Sequence, residues 1–141
     1  MPIFNLDVTL QTIQRLSPGT LVEHLGIEFV ELGQDFIRAK MPVDGRTRQP
    51  MGLLHGGASV ALAETLGSVA ANCCIDNKIQ ACVGLEINAN HIKSVREGFV
   101  VGTARPIHIG KRTHVWEIKI ANESGDLVCI SRITMAIIDK R

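Results

Sequence analysis

The sequence predicts an α+β domain in which one buried helix is wrapped by a curled antiparallel sheet of five or six strands. Three observations predict it. Residues 56–75, GGASVALAETLGSVAANCCI, form a mostly apolar run with a single formal charge, Glu64, as expected of a helix enclosed by protein. From Ala81 onward the chain reads as long extended segments separated by short turns. Alternating strand–helix units are missing, as is a glycine fingerprint directly after a strand, which excludes a doubly wound dinucleotide-binding sheet.

Each element follows from local chemistry. Thr9 to Leu16 predicts a short helix, stopped by Ser17-Pro18-Gly19. Leu21 to His24 adds another turn. Gly26 to Leu32 and Asp35 to Met41 predict a hairpin around Gly33-Gln34, with Ile37, Ala39 and Met41 alternating against Phe36, Arg38 and Lys40. Pro42 to Pro50 is polar, punctuated by Gly and Pro, and is expected to be a loop. Four strands follow the central helix: Ala81 to Ile92, Phe99 to Ile107, Thr113 to Ile120 and Leu127 to Ile138. In the first, Val83, Leu85, Ile87 and Ala89 are expected to share a face. In the third, His114, Trp116, Ile118 and Ile120 oppose Val115, Glu117 and Lys119. No repeat or linker divides the chain, so residues 1–141 are expected to form a single domain.

Composition narrows the function. The 141 residues carry 15 Lys and Arg against 14 Asp and Glu, a net charge of +1, which argues against a basic nucleic-acid-binding surface. The apolar run approaches the length of a membrane span, but it is rich in Ala, Gly and Ser and lacks basic flanks, so no membrane association is expected. The N-terminus has no basic region followed by an apolar stretch and reads as no secretory signal. The cysteines, at 73, 74, 82 and 129, fit neither a zinc motif nor a disulfide framework, so a reduced cytoplasmic protein is expected. Cys73 and Cys74 read as helix packing. No spacing suggests a metal site; His55 with His91 is too sparse.

Glu64 is the residue to explain, because a carboxylate inside an apolar helix is costly without a partner. Either it lies on a narrow solvent stripe or pairs with an arginine, or it is a general base or nucleophile at a pocket or subunit interface. At about 100° per residue, Gly57, Glu64 and Ser68 fall within about 20° of one stripe. The helix opens with His55-Gly56-Gly57, whose unpaired backbone N–H groups and dipole make a candidate oxyanion site. Gln49 and His55 stand where they can position an acyl carbonyl. Gly56 and Glu64 differ by eight residues, about 12 Å along a straight helix, beyond the reach of one glutamate. If both act on one carbonyl, the site is composite, with the helix start from one subunit and Glu64 from its partner. A curled sheet also leaves an edge open, which again suggests dimerisation.

These residues carry a resemblance. The segment Gln49-Pro50-Met51-Gly52-Leu53-Leu54-His55-Gly56-Gly57-Ala58-Ser59 with Ala63-Glu64 resembles the hotdog-fold acyl-CoA thioesterases, in the branch of the phenylacetate-pathway and 4-hydroxybenzoyl-CoA enzymes. Met41-Pro42-Val43-Asp44, Gly84 to His91 and Val115-Trp116 bring it nearest to the bacterial enzymes acting on 1,4-dihydroxy-2-naphthoyl-CoA in menaquinone synthesis. The resemblance runs from about Leu6 to Ile138. It implies a hotdog fold, homodimers that pair into tetramers, active sites at the dimer interface, and no metal or cofactor. It further implies that Glu64 is the catalytic carboxylate and that the Gly56 N–H is the oxyanion donor. Gln49 and His55 would lie near the thioester carbonyl, and Ser68 would help place the attacking water. Coenzyme A carries phosphates, so His91, Lys93, Arg96, Arg105, Lys111 and Arg112 are the candidates to hold it, each alternatively a plain surface charge. The resemblance leaves the acyl group open between aromatic and medium-chain, and two alternatives remain on the same scaffold: a hydratase or dehydratase acting on acyl-CoA or acyl carrier protein, and a non-catalytic acyl-CoA-binding module.

Overall fold

The computed structural model describes residues 2–141. Two short helices, α1 (Leu10–Gln14) and α2 (Leu21–His24), precede the hairpin of β1 (Glu28–Leu32) and β2 (Ile37–Pro42). The central helix α3 (Gly56–Asn72) follows, and then β3 (Gln80–His91), β4 (Phe99–Ile109), β5 (Thr113–Ala121) and β6 (Leu127–Asp139). The six strands form one antiparallel sheet in the order β1-β2-β4-β5-β6-β3, so the hotdog architecture expected from sequence is the one observed. The run from β4 to β6 is a meander. β3 crosses over to pair with β6, which leaves it as a twelve-residue edge strand.

The core lies between α3 and the concave face of the sheet. Leu62, Ala63, Leu66, Ala70 and Ala71 of the helix are fully buried, against Ile37, Ala39 and Met41 of β2 and Trp116, Ile118 and Ile120 of β5. The period-two patterns in β2 and β5 therefore point inward as expected. Small residues let the helix sit close to the sheet: a Cβ on Gly67 would lie 2.5 Å from Ile133 Cγ2. Among the described residues, no helix is long and apolar enough to cross a membrane.

Two element ends and the face of β3 differ from expectation in ways that bear on the site. α3 ends at Asn72 and not near residue 75. The Asn72 side chain donates to Ser68 O at 2.8 Å and accepts the Cys82 N–H at 3.2 Å, while Asn77 donates to Asn72 O, so the terminus is tied to β3 and to the following turn. β2 extends through Pro42, which the expected loop had included. In β3 the apolar residues do not share a face. A bulge between Gly84 and Glu86 switches the alternation, so Ile87 and Ala89 pack on the core while Val83 and Leu85 are exposed.

Candidate active site

The loop before α3 is folded by its own polar groups. Thr47 is buried; its hydroxyl donates to Pro42 O at 2.7 Å and accepts the Asp44 N–H at 3.1 Å. The Thr47 carbonyl in turn accepts the His55 N–H at 2.7 Å, which fixes where the helix begins. Between them, Arg48 bridges to Leu54, and the Gln49 N–H donates to Leu53 O at 2.8 Å. This tight turn carries Gln49 back beside the helix start. The Gln49 side-chain oxygen accepts the Met51 N–H, which orients the carboxamide and leaves its NH2 as a free donor.

His55 is the N-cap of α3, and its Nδ1 accepts the Gly57 N–H at 2.8 Å. That bond fixes the tautomer: a neutral His55 carries its proton on Nε2. The His55 carbonyl accepts from Ala58 and Ser59. The Gly56 N–H alone among these first-turn donors has no hydrogen-bond partner among the described residues. It therefore stands ready for an external acceptor, at the positive end of a seventeen-residue helix. His91, at the end of β3, closes over the same point. A Cβ on Gly56 would sit 2.9 Å from His91 Nε2, so glycine lets the exposed imidazole rest against the helix start, where any larger residue would turn it away.

Gln49, Gly56 and His91 line a groove of about 310 Å³ with Ser59, Lys93, Leu53, Leu54 and Val128, whereas the His55 ring lies against Gly57 and is not part of this lining. Glu64 is not in the groove either. Gly56 and Glu64 differ by about 80° around the helix as well as about 12 Å along it. Glu64 opens into a second groove of about 500 Å³, lined by Gly57, Val60, Ala61, Thr65, Ser68 and Val69 of α3 and by Leu21 and Val22 of α2. The expected stripe of Gly57, Glu64 and Ser68 is thus a groove wall. The expectation of a wholly enclosed helix is corrected: α3 buries only its sheet-facing side, and Glu64 lies exposed on the other. It makes no ion pair or hydrogen bond among the described residues. An exposed carboxylate beside Ser68 on a mostly apolar wall is chemically available as a base or nucleophile.

The six basic candidates are not gathered into one patch. His91 and Lys93 line the Gly56 groove, with Lys93 held by Asp126 at 2.7 Å. Arg96 lies nearby, its carbonyl accepting from Arg48 Nε at 3.0 Å. Arg105 is elsewhere, paired with Asp35 at 3.2 Å and stacked over Phe36. Lys111 and Arg112 lie at the far end of α3, beside Cys74, Gln80 and Asp139, to which Arg112 pairs at 3.5 Å. Within one protomer, Arg105, Lys111 and Arg112 cannot share the Gly56 groove, because β4 carries them to its opposite end.

The cysteines behave as packing. Burial pushes the Cys73 thiol up to about 11 and the Cys74 thiol up to about 12, far from the range of a thiolate nucleophile. Among the described residues no group of three or more His, Cys, Asp or Glu side chains is placed to hold a metal. The sequence reading missed Leu21 and Val22, whose only signal was an isolated helical turn.

Comparison with known proteins follows this geometry. Residues 51–129 match the Thioesterase superfamily. The chain is 51% identical to the 1,4-dihydroxy-2-naphthoyl-CoA hydrolase of Escherichia coli, over 96% of this chain and 99% of that protein. It is 50% identical to the proofreading thioesterase EntH of Cronobacter turicensis, over 96% of this chain and 98% of that protein. Its fold is similar to the crystal structure of a mutant thioesterase from Pseudomonas aeruginosa, with a TM-score of 0.96 and 43% identity, covering 98% and 99% of the two chains.

Proposed function

This chain belongs to the thioesterase superfamily and is a thioester hydrolase, and we propose that it hydrolyses aromatic acyl-CoA thioesters at a site shared by two copies of the chain. The acyl group we assign is 1,4-dihydroxy-2-naphthoyl or a close aromatic relative, as acted on by the E. coli enzyme, which would make the protein a step of menaquinone synthesis. The observation that carries the reading is the division of labour along α3. A free Gly56 N–H lies in one groove, and an unpartnered Glu64 lies in another, too far apart to meet within a protomer.

In this mechanism the thioester carbonyl oxygen accepts the Gly56 N–H, and the helix dipole stabilises the negative charge that develops there. The Gln49 NH2 and the imidazole groups of His55 and His91 position the carbonyl. Glu64 of the partner subunit acts on the carbonyl carbon, either by drawing a proton from water as it attacks or by attacking first to give a mixed anhydride. Ser68, one turn further on, has a hydroxyl with no hydrogen bond of its own among the described residues and is available to orient that water. On the first route the C–S bond breaks as the proton held by Glu64 passes to the coenzyme A thiolate, leaving the carboxylic acid; on the second the thiolate leaves as the anhydride forms, and water then hydrolyses the anhydride, releasing the acid and restoring the Glu64 carboxylate while the thiolate takes up a proton.

Dimerisation is supported by the unpaired edge of β3, which is twelve residues long and exposes Val83 and Leu85. Pairing along that edge is the natural route to a homodimer, and pairing of dimers would give the tetramer expected from sequence. His91 and Lys93 are the assigned coenzyme A contacts beside Gly56, with Arg96 next to them. Arg105, Lys111 and Arg112 can contribute only from the other subunit.

A thiol-release assay with 1,4-dihydroxy-2-naphthoyl-CoA, benzoyl-CoA and hexanoyl-CoA tests the reading. Wild-type protein is expected to favour the aromatic substrates, and Glu64→Ala to lose at least about 10³-fold in rate, as expected for loss of the base or nucleophile. Equal release by Glu64→Ala would remove Glu64 from the mechanism.

A further inference from the structure

We propose that Leu21 and Val22, on the short helix α2, set the size of acyl group that this enzyme accepts. The inference rests on reading the Glu64 groove as the acyl half of the site. The two walls of that groove differ in kind. The α3 wall is small and fixed: Gly57, Val60, Ala61, Ser68 and Val69 are interleaved with Leu62, Leu66 and Ala70, which are fully buried against the sheet. A change in those residues disturbs the core. The opposite wall is α2, four residues long with none buried. Leu21 is the largest apolar side chain lining the groove, yet it is 62% exposed. Val22 beside it is half-buried and packs on the core, so it anchors the wall that Leu21 extends.

An exposed leucine contributes little to the fold, because most of its surface stays in water. Its position gives it another consequence. It faces the α3 wall that carries Glu64, so its volume fixes the width available to whatever group reaches the carboxylate. A ring system entering the groove meets aliphatic side chains from both elements, Leu21 and Val22 of α2 and Val60 and Val69 of α3. At Leu21 width is therefore controlled by a side chain that can change without cost to the core, as suits a specificity-determining position.

The test is the ratio of kcat/KM for 2-naphthoyl-CoA to that for benzoyl-CoA. Leu21→Trp narrows the groove and is expected to lower this ratio about tenfold, in line with the discrimination one added group makes in an apolar pocket. Leu21→Ala and Val22→Ala widen it and are expected to raise the ratio. Melting temperature should be unchanged in both Leu21 variants. Ratios within about twofold of wild type in all three variants would overturn the proposal. So would equal loss on both substrates, or dissociation of the dimer by Leu21→Trp, since either would make α2 a structural contact. Glu64→Gln, measured alongside, separates the two levels of the argument. If it is inactive while the Leu21 ratios stay flat, only this inference fails. If it retains wild-type activity, the reading of the groove as the acyl half fails first.

Discussion

The His91 imidazole rests against the Cα of Gly56, so close that a methyl group there would lie 2.9 Å from Nε2. Strand β3 thereby delivers its last residue to the first residue of helix α3, at the one first-turn N–H left without a partner among the described residues. Because His91 is exposed, Gly56→Ala should turn the imidazole away at a cost in stability within about 0.5 kcal/mol, and the effect should fall instead on catalysis as a lowered kcat/KM. The loss in kcat/KM should be smaller in a His91→Ala background, because the two residues share one space. A double-mutant cycle in thiol release checks this; additive effects would mean that the contact with His91 does not matter to the reaction.

Gln49 is oriented by the Met51 N–H, which its side-chain oxygen accepts. Gln49→Ala removes the carboxamide donor from the groove without touching the core. The expected loss in kcat/KM is about 10- to 100-fold, the scale of one charge-directed hydrogen bond in a transition state. Steady-state thiol release measures it, and an unchanged kcat/KM would leave Gln49 a loop-folding residue only.

His114 is buried, and its Nδ1 accepts from Trp116 Nε1 at 3.4 Å. Burial, and secondarily the charge of His108, lower its pKa from the usual 6.5. The unfolded chain therefore binds a proton there that the folded chain resists. The resulting stability is fully present above pH 6.5 and is lost as pH falls through that value toward the folded pKa. Melting temperature should drop between pH 7.5 and pH 5, and His114→Gln should flatten the drop. An identical pH profile in the variant would assign the effect to another group.

Burial raises all four free thiols above their ordinary value. At pH 8 the native protein should react slowly with a disulfide reagent, and all four thiols should react once it is unfolded. Cys73→Ala and Cys74→Ala should retain thioesterase activity. Rapid labelling of Cys74 in the native state would contradict the packing role.

Much of this was readable from residues, for identifiable reasons. The period-two runs in β2 and β5 survive folding because each strand is paired on both sides and curls evenly over α3. The β3 face was misread because a bulge at Leu85 leaves no trace in hydrophobic alternation. Charge singles out Glu64 in the sequence, and its exposure fits the solvent-stripe reading, but the apolar run gives no sign that one whole side of α3 is left uncovered. A helix that is apolar all round reads as enclosed, whereas here the sheet covers one side and an apolar groove lies on the other. The separation of Gly56 from Glu64 followed from helix rise alone. The places of Arg105, Lys111 and Arg112 depend on strand order, and strand order is not written in local pattern. Leu21 and Val22 were passed over because four residues of helix carry no periodicity to read.

The central claim is that one site draws Gly56 from one subunit and Glu64 from the other. The direct measurement uses hybrid dimers isolated with two affinity tags. One subunit carries Glu64→Ala. The other carries Gly56→Pro, which removes the N–H while suiting a helix start, together with His91→Ala to make room for the ring. Each parent homodimer should be inactive. A shared site predicts that the hybrid has one intact site of two and about half of wild-type activity. A hybrid no more active than its parents would place both residues in the same subunit's site and contradict the account.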